Sequence, residues 1–283
     1  MTLPDDDFSR RACAWPRRPK TQGPVRMIAP DEVPGWILFE DERLLVVNKP
    51  GDVVCHPSKA GPWSSLVGAL REYSGLPTVH LVFRLDRETS GVVVLAKDAA
   101  MAGRLQTAMQ KRLVGKVYLA ILRGRLAGPV TVDQPLGDDV HSVVFLKSGV
   151  TPDGQPAVTH FAPIAISAVS RESADRSDVP GGFTLARVVT ETGRKHQIRA
   201  HAEWLGHPLV GDKIYGGDAR CYLEFIDHGW TDRLAKSLEL PRQALHCHEI
   251  DLRAAGLPHV FTAPLPGDLR EFCAGHGIAG GYA

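Results

Sequence analysis

The sequence predicts an α+β fold, and three observations predict it. Short runs that alternate, or are continuously apolar, read as strands and outnumber the helical segments. The helical segments are not regularly interleaved with them, as a doubly wound parallel sheet requires. The chain has 283 residues, 43% of them hydrophobic, enough for one large core or two modest ones.

The elements follow in order. Residues 1–35 carry Pro, Arg and Asp clusters without periodicity and read as a basic N-terminal arm with some local order. The main body is expected over 36–275, with a tail over 276–283. Leu44–Val47 is an apolar strand. Trp63–Tyr73 reads as a helix with Leu66, Val67 and Leu70 on one face. Leu81–Phe83 and Val92–Leu95 are strands on either side of a turn. Asp98 is placed to cap a helix that turns Met101, Leu105, Ala108 and Met109 inward. Val114–Leu122, Val143–Leu146, Val158–Ser167 and Phe183–Val189 are further strands. Arg171–Gly182 is polar and predicts a hairpin loop. Gln197–Leu205 reads as a helix ended by Gly206. Gln243–Leu252 alternates as a late strand, with His259–Ala263 as its partner.

Bulk composition narrows the function classes. Net charge is +1, so any nucleic-acid binding has to rest on local charge. That charge is uneven: 8–30 and 104–125 each hold six Lys or Arg and no acid. The five cysteines are widely spaced with no Cys-x-x-Cys, which argues for a reducing compartment and against a disulfide framework or zinc ribbon. The amino terminus lacks a signal-type apolar core and no run approaches a membrane span, so a cytoplasmic protein is expected.

Four segments carry the chemistry. Phe83-Arg-Leu-Asp-Arg-Glu-Thr-Ser-Gly91 sets Asp86 near Arg84 and Arg87, between two apolar runs. Neighbouring cations keep a carboxylate ionised, fit to act as nucleophile or base, and two arginines suit a phosphate-bearing substrate. Read alone, the segment is equally consistent with a strand turn bearing solvated charges. Thr192-Gly-Arg-Lys-His-Gln-Ile-Arg-Ala-His201 gathers cationic side chains around a glycine and a helix start, where backbone N–H groups favour anions. Lys116-Val-Tyr118 lies on a strand. Gly206-His-Pro-Leu-Val-Gly-Asp-Lys-Ile-Tyr-Gly216 is a dense polar loop.

Together and in this order, these segments resemble the RluA family of pseudouridine synthases. The resemblance runs from about Trp36 to about Pro266 and opens on Ile37–Gly51, which looks like that family's first motif. The Arg-Leu-Asp-Arg-x-Thr-Ser-Gly and Gly-Arg-x-His-Gln-Ile-Arg strings are each fairly specific. One position departs: the family usually has His directly before the first string, where this chain has Phe83 and its nearest histidine is His80. Phenyl can stack there but cannot hydrogen-bond as imidazole does.

The resemblance implies a largely antiparallel mixed sheet with a central active-site cleft, over a catalytic domain at 36–275. Residues 1–35 are too short for the S4 module that many relatives carry at this end. It implies isomerisation of uridine to pseudouridine in ribosomal or transfer RNA by a monomer, without cofactor, metal or membrane. Asp86 becomes the essential carboxylate, Arg199 its ion-pair partner and Tyr118 the ring that stacks on uracil, with a further part for Tyr118 in removing the C5 proton. Arg84 supports the flipped nucleotide. Arg87, Lys116, Arg194, Lys195 and His196 join it as RNA contacts.

Other patterns are weaker. His201-Ala-Glu203 matches half of a zinc deaminase signature and lacks the Cys half. His246-Cys-His248 reads as a histidine pair on one strand face. Glu191, Glu203 and Asp212 suggest a two-carboxylate glycosidase only if their separation allows. The rival class is a non-catalytic RNA-binding or assembly factor on the same fold. The intact Asp86, Tyr118 and Arg199 set favours the enzyme.

Overall fold

The structure, a computed structural model, describes residues 26–56, 60–167 and 181–279. A single mixed sheet dominates them. Its strands are β1 (Ile37–Glu40), β2 (Leu44–Lys49), β3 (His80–Leu81), β4 (Ser90–Ala96), β5 (Gly115–Arg123), β6 (Val130–Asp133), β9 (Val158–Ile166), β10 (Phe183–Thr190), β11 (Leu245–Asp251) and β12 (Val260–Thr262). A separate hairpin pairs β7 (Leu136–Asp138) with β8 (Ser148–Val150). The sheet runs β1-β2-β4-β11-β5-β10-β9-β6, with β3 beside β4 and β12 beside β11. Every pairing is antiparallel except β4 with β11.

The helices are α1 (Leu66–Ser74), α2 (Ala99–Gln110), α3 (Gln197–Trp204), α4 (Arg220–His228), α5 (Asp232–Leu238) and α6 (Gly267–Gly275). All seven residues of β4 are buried, as its unbroken apolar run requires of a strand covered on both faces. Each Val or Leu there contributes roughly 1.5–3 kcal/mol of burial. α1, α2 and the β2–β4 pair share one apolar cluster, while β5 and β10 feed two more.

Most predicted elements form, with shifted ends. Asp98 caps α2, its carboxylate accepting from Met101 N at 2.8 Å. Met101, Leu105 and Ala108 are buried, whereas Met109 is only half-buried. α1 starts at Leu66 rather than Trp63, because Ser65 caps it and Pro62–Ser64 forms a single 3₁₀ turn. Leu81–Phe83 pairs only through Val82 before the chain turns away.

Val143–Leu146 is not a strand. The chain turns there instead, and Lys147 N donates to the Val144 carbonyl at 2.9 Å. Asp139 accepts from His141 N at 3.2 Å and Ser142 Oγ from Val144 N at 3.0 Å, which leaves Val143 and Phe145 61% and 70% exposed. Within the stretch read as an arm, residues 26–35 pack on the body: Ile28 and Val33 are buried and Ile28 N donates to Trp63 O at 2.7 Å. Ile278, in the expected tail, is also buried. Residues 1–25 of the arm, most of the predicted 171–182 loop and the last residues of the tail lie outside the described residues.

Candidate active site

The site lies at the centre of the sheet, where β4 and β11 run side by side. Gly91 permits that approach: a Cβ there would stand 2.2 Å from the Cys247 carbonyl oxygen, and its φ is 115°. The turn before β4 carries Asp86, and Thr89 N donates back to the Asp86 carbonyl at 3.1 Å. Polar side chains grip this turn from three directions. Buried Lys49, at the end of β2, donates to the carbonyls of Pro50, Val53 and Arg87 at 2.8, 2.9 and 3.1 Å. Arg242 donates to the Glu88 carbonyl at 3.1 Å. Lys213 donates to Glu88 Oε1 at 2.6 Å.

Arg199 on α3 completes the floor. Its guanidinium makes two bonds to Asp212, at 2.6 and 2.8 Å, and turns its remaining nitrogen to Asp86 Oδ2 at 2.9 Å. The planar fork of arginine suits such a two-sided contact. Asp212 is fully buried and also accepts from the backbone N–H groups of Ile214 and Tyr215. Burial pushes both carboxyls up, but Arg199 outweighs it and holds Asp86 and Asp212 below the usual carboxylate range. Burial alone would lower the Arg199 pKa, and the two carboxylates raise it instead. The Asp86 side chain keeps 34% of its surface open to the cavity.

Above this floor is a cavity of ≈ 180 Å³ walled by Tyr118, Leu245, Ile198, Phe83, Met109 and Thr192. Strand alternation puts Lys116 and Tyr118 on the same face of β5, both in the wall. Tyr118 stands directly opposite Cys247 in the β5–β11 register. Burial, with Cys247 and Asp86 adding to it, raises the phenol well above its ordinary value, so it stays neutral. Arg84 and Arg194 stand at the mouth.

The structure thus brings Asp86, Tyr118, Arg199, Arg84, Lys116, Arg194 and His196 to one cavity. Arg87 and Lys195 do not line it: Arg87 pairs with Asp52 at 2.7 Å and Lys195 with Asp138 at 3.1 Å. His196 is present as a ring and not as a cation. Burial and the adjacent Arg199 lower its pKa to about 4. Its Nδ1 meets the Tyr215 hydroxyl at 3.0 Å, and its backbone takes the left-handed φ of 56° that starts α3. Gln197 locks the same turn, accepting from Thr192 Oγ1 and Arg194 N. Phe83 is in the wall, and His80 is not.

The weaker patterns resolve as packing. His201 is buried between Thr159 Oγ1 and the Gln134 carbonyl. His246 and His248 both bond the Ala263 carbonyl, and no metal-holding group occurs among the described residues. Glu191, Glu203 and Asp212 are engaged separately with His160, Lys147 and Arg199.

A family model described as RNA pseudouridylate synthase matches residues 43–204, which span the Asp86 turn, Tyr118 and Arg199. The chain belongs to this family. The synthase is 37% identical over 254 residues to ribosomal large subunit pseudouridine synthase D of Vibrio vulnificus, covering 87% of this chain and 72% of that one. It is 33% identical over 249 residues to the Escherichia coli K12 protein of the same name, covering 86% and 70%. Among solved structures, human RNA pseudouridylate synthase domain containing 1 superposes with a TM-score of 0.65 at 24% identity, over 87% of this chain and 89% of that one, which shows the shared fold. The synthase is an RNA uridine isomerase of the RluA type.

Sequence reasoning missed part of its floor. Asp212 stands out in the sequence as a member of the Gly206–Gly216 loop and of the weak Glu191, Glu203 and Asp212 carboxylate set, with no signal that it faces Arg199. Gln243, Lys49, Lys213 and Arg242 had no assigned role. The one trace of the last two is their place in polar strings, Asp-Lys-Ile-Tyr and Pro-Arg-Gln, beside strand or turn residues.

Proposed function

We propose that this synthase isomerises a uridine of large-subunit ribosomal RNA, with Asp86 as the essential carboxylate, Arg199 as its partner and Tyr118 as the face for the uracil. One observation carries the reading: Arg199, itself pinned by Asp212, holds an ionised Asp86 at the base of a cavity. In the reaction the C1′–N1 bond breaks, the base turns, and a C1′–C5 bond forms. C5 loses a proton and N1 gains one. Attack on C1′ and promotion of base departure both use the anion. Tyr118 remains a neutral phenol, which supports stacking over proton removal.

A target base stacked in folded RNA is extruded at a cost of roughly a few kcal/mol. Arg84, exposed at the mouth, is placed to stack in the vacated space. Lys116 and Arg194 take flanking phosphates. Lys195 and Arg87 reach phosphates only by exchanging their present partners. His196 contributes shape to the floor and not charge. The names of the bacterial relatives favour ribosomal over transfer RNA as substrate, and the cytoplasm as the place of action.

Tritium release from C5-labelled large-subunit RNA tests this. Wild type should release label and Asp86→Asn should lose at least roughly a thousandfold. Release by Asp86→Asn at the wild-type rate removes Asp86 from the chemistry. Release from labelled transfer RNA alone overturns the substrate.

A further inference from the structure

We infer that Gln243 is a positioning residue for the isomerisation, its side-chain amide tying Asp86 Oδ2 to Thr89 so that Oδ1 is the oxygen presented to the ribose. This rests on the reading of Asp86 as the essential carboxylate. Gln243 is 1% exposed and stands just before β11. Its Nε2 donates to Thr89 Oγ1 at 2.6 Å and reaches Asp86 Oδ2 at 3.4 Å. An ionised carboxylate only accepts, so the nitrogen end of the amide must face it.

The backbone fixes this amide in place. Gln243 N donates to Glu88 Oε2 at 3.2 Å, and Arg242 holds the Glu88 carbonyl while its other nitrogens grip Asp268 at 2.6 and 2.9 Å. The 242–243 dipeptide therefore touches residues 86, 88 and 89 of the catalytic turn. Around Asp86 the contacts are one-sided. Arg199 Nη1 at 2.9 Å, Gln243 Nε2 at 3.4 Å and His196 Nε2 at 3.9 Å all approach Oδ2. Oδ1 has no hydrogen-bond partner among the described residues. A carboxylate tied at both oxygens has its lone pairs occupied, whereas one tied at a single oxygen is aimed by it. The Gln243 contact is long for N–H···O, as such contacts often are before substrate tightens a site.

The test compares Gln243→Leu and Gln243→Glu with wild type for kcat, KM and the pH dependence of kcat on C5-labelled RNA, together with thermal unfolding. Gln243→Leu should lower kcat roughly tenfold with little change in KM. Its acid limb should move to higher pH, because the anion has lost a donor. Gln243→Glu sets a second carboxylate beside Oδ2 and should move that limb further. Thr89→Val frees the amide from its other partner and should shift the limb in the same direction by less. A folded Gln243→Leu with unchanged kcat and acid limb, or with only KM altered, overturns the inference. If that variant does not fold, the near-isosteric Gln243→Glu decides by the same criterion. Asp86→Asn separates the two readings. If it retains activity, the role of Asp86 falls. If it is inert while the Gln243 variants behave as wild type, only the positioning role falls.

Discussion

The floor and the mouth of the cavity are built on opposite terms. At the floor each charge has a partner: Arg199 lies between Asp86 and Asp212, Lys213 meets Glu88, and Arg242 meets Asp268. Towards the mouth, Arg84 and Lys116 line the same cavity, and their side chains make neither ion pair nor hydrogen bond among the described residues. The Arg194 side chain donates to the Pro156 carbonyl and has no ion-pair partner among the described residues. A paired floor is organised before substrate arrives, so little rearrangement remains for the chemical step. Unpaired cations at the rim are what an incoming polyanion needs. The contrast predicts that damage to the floor is read in kcat and stability, and damage to the mouth in binding.

The largest effect is expected at Arg199. Arg199→Met leaves Asp212 buried without its cation, and breaking a buried pair from one side costs about 3–5 kcal/mol. Turnover should vanish as well, because Asp86 loses both its charge partner and its aim. Arg199→Lys should rescue stability in part and activity poorly, since an ammonium does not reproduce the two-sided contact. Urea unfolding and tritium release measure the two. An active Arg199→Met would dissolve the distinction between floor and mouth.

Part of this contrast was legible from residue order. Asp86, Tyr118 and Arg199 stand in contiguous strings whose charge and turn residues advertise them. Their supports do not. Asp212 reaches Arg199 and Gln243 reaches Asp86 only through the folded sheet, and a buried glutamine leaves no local periodicity. His196 reads as a cation in a basic string, and burial beside Arg199 makes it neutral. Val143–Leu146 has a strand's composition but is folded into a turn by the hydrogen bonds of Asp139 and Ser142. The short helices α4 and α5, between the Gly216–Gly217 turn and β11, were not anticipated, whereas β2, β4, β5 and β11 were.

Lys49 offers a finer probe of the floor. Burial lowers its ammonium to about 8, against an unfolded value of ~10.4. Between those values the unfolded chain holds a proton that the folded chain has released. Folded stability therefore gains as pH rises through that window and gains nothing from this group below it. The gain reaches about 2 kcal/mol by about pH 9.5. Lys49→Met should lack this rise, so its stability relative to wild type should worsen between neutral and alkaline pH in urea titrations. Parallel curves for the two proteins would mean that Lys49 titrates as an exposed lysine.

The mouth should give the smallest changes and the clearest separation from the floor. Lys116 is half-buried, and burial lowers its pKa despite the opposing influence of Cys247. A cation held there without a counter-charge is relieved when a phosphate arrives. Lys116→Ala and Arg84→Ala should each weaken RNA binding by about three- to tenfold and reduce the slope of log affinity against log salt by about 0.7–0.9. The rate at saturating RNA should hold for Lys116→Ala if the ammonium meets a phosphate bound alike before and during the reaction. It should fall for Arg84→Ala if the guanidinium replaces the extruded base, because extrusion precedes chemistry. Fluorescence titration across salt concentrations, paired with single-turnover rates, distinguishes these outcomes. If both variants lose rate while keeping affinity and salt slope, the rim belongs to the chemistry and the boundary between the two regions lies further out than Lys116.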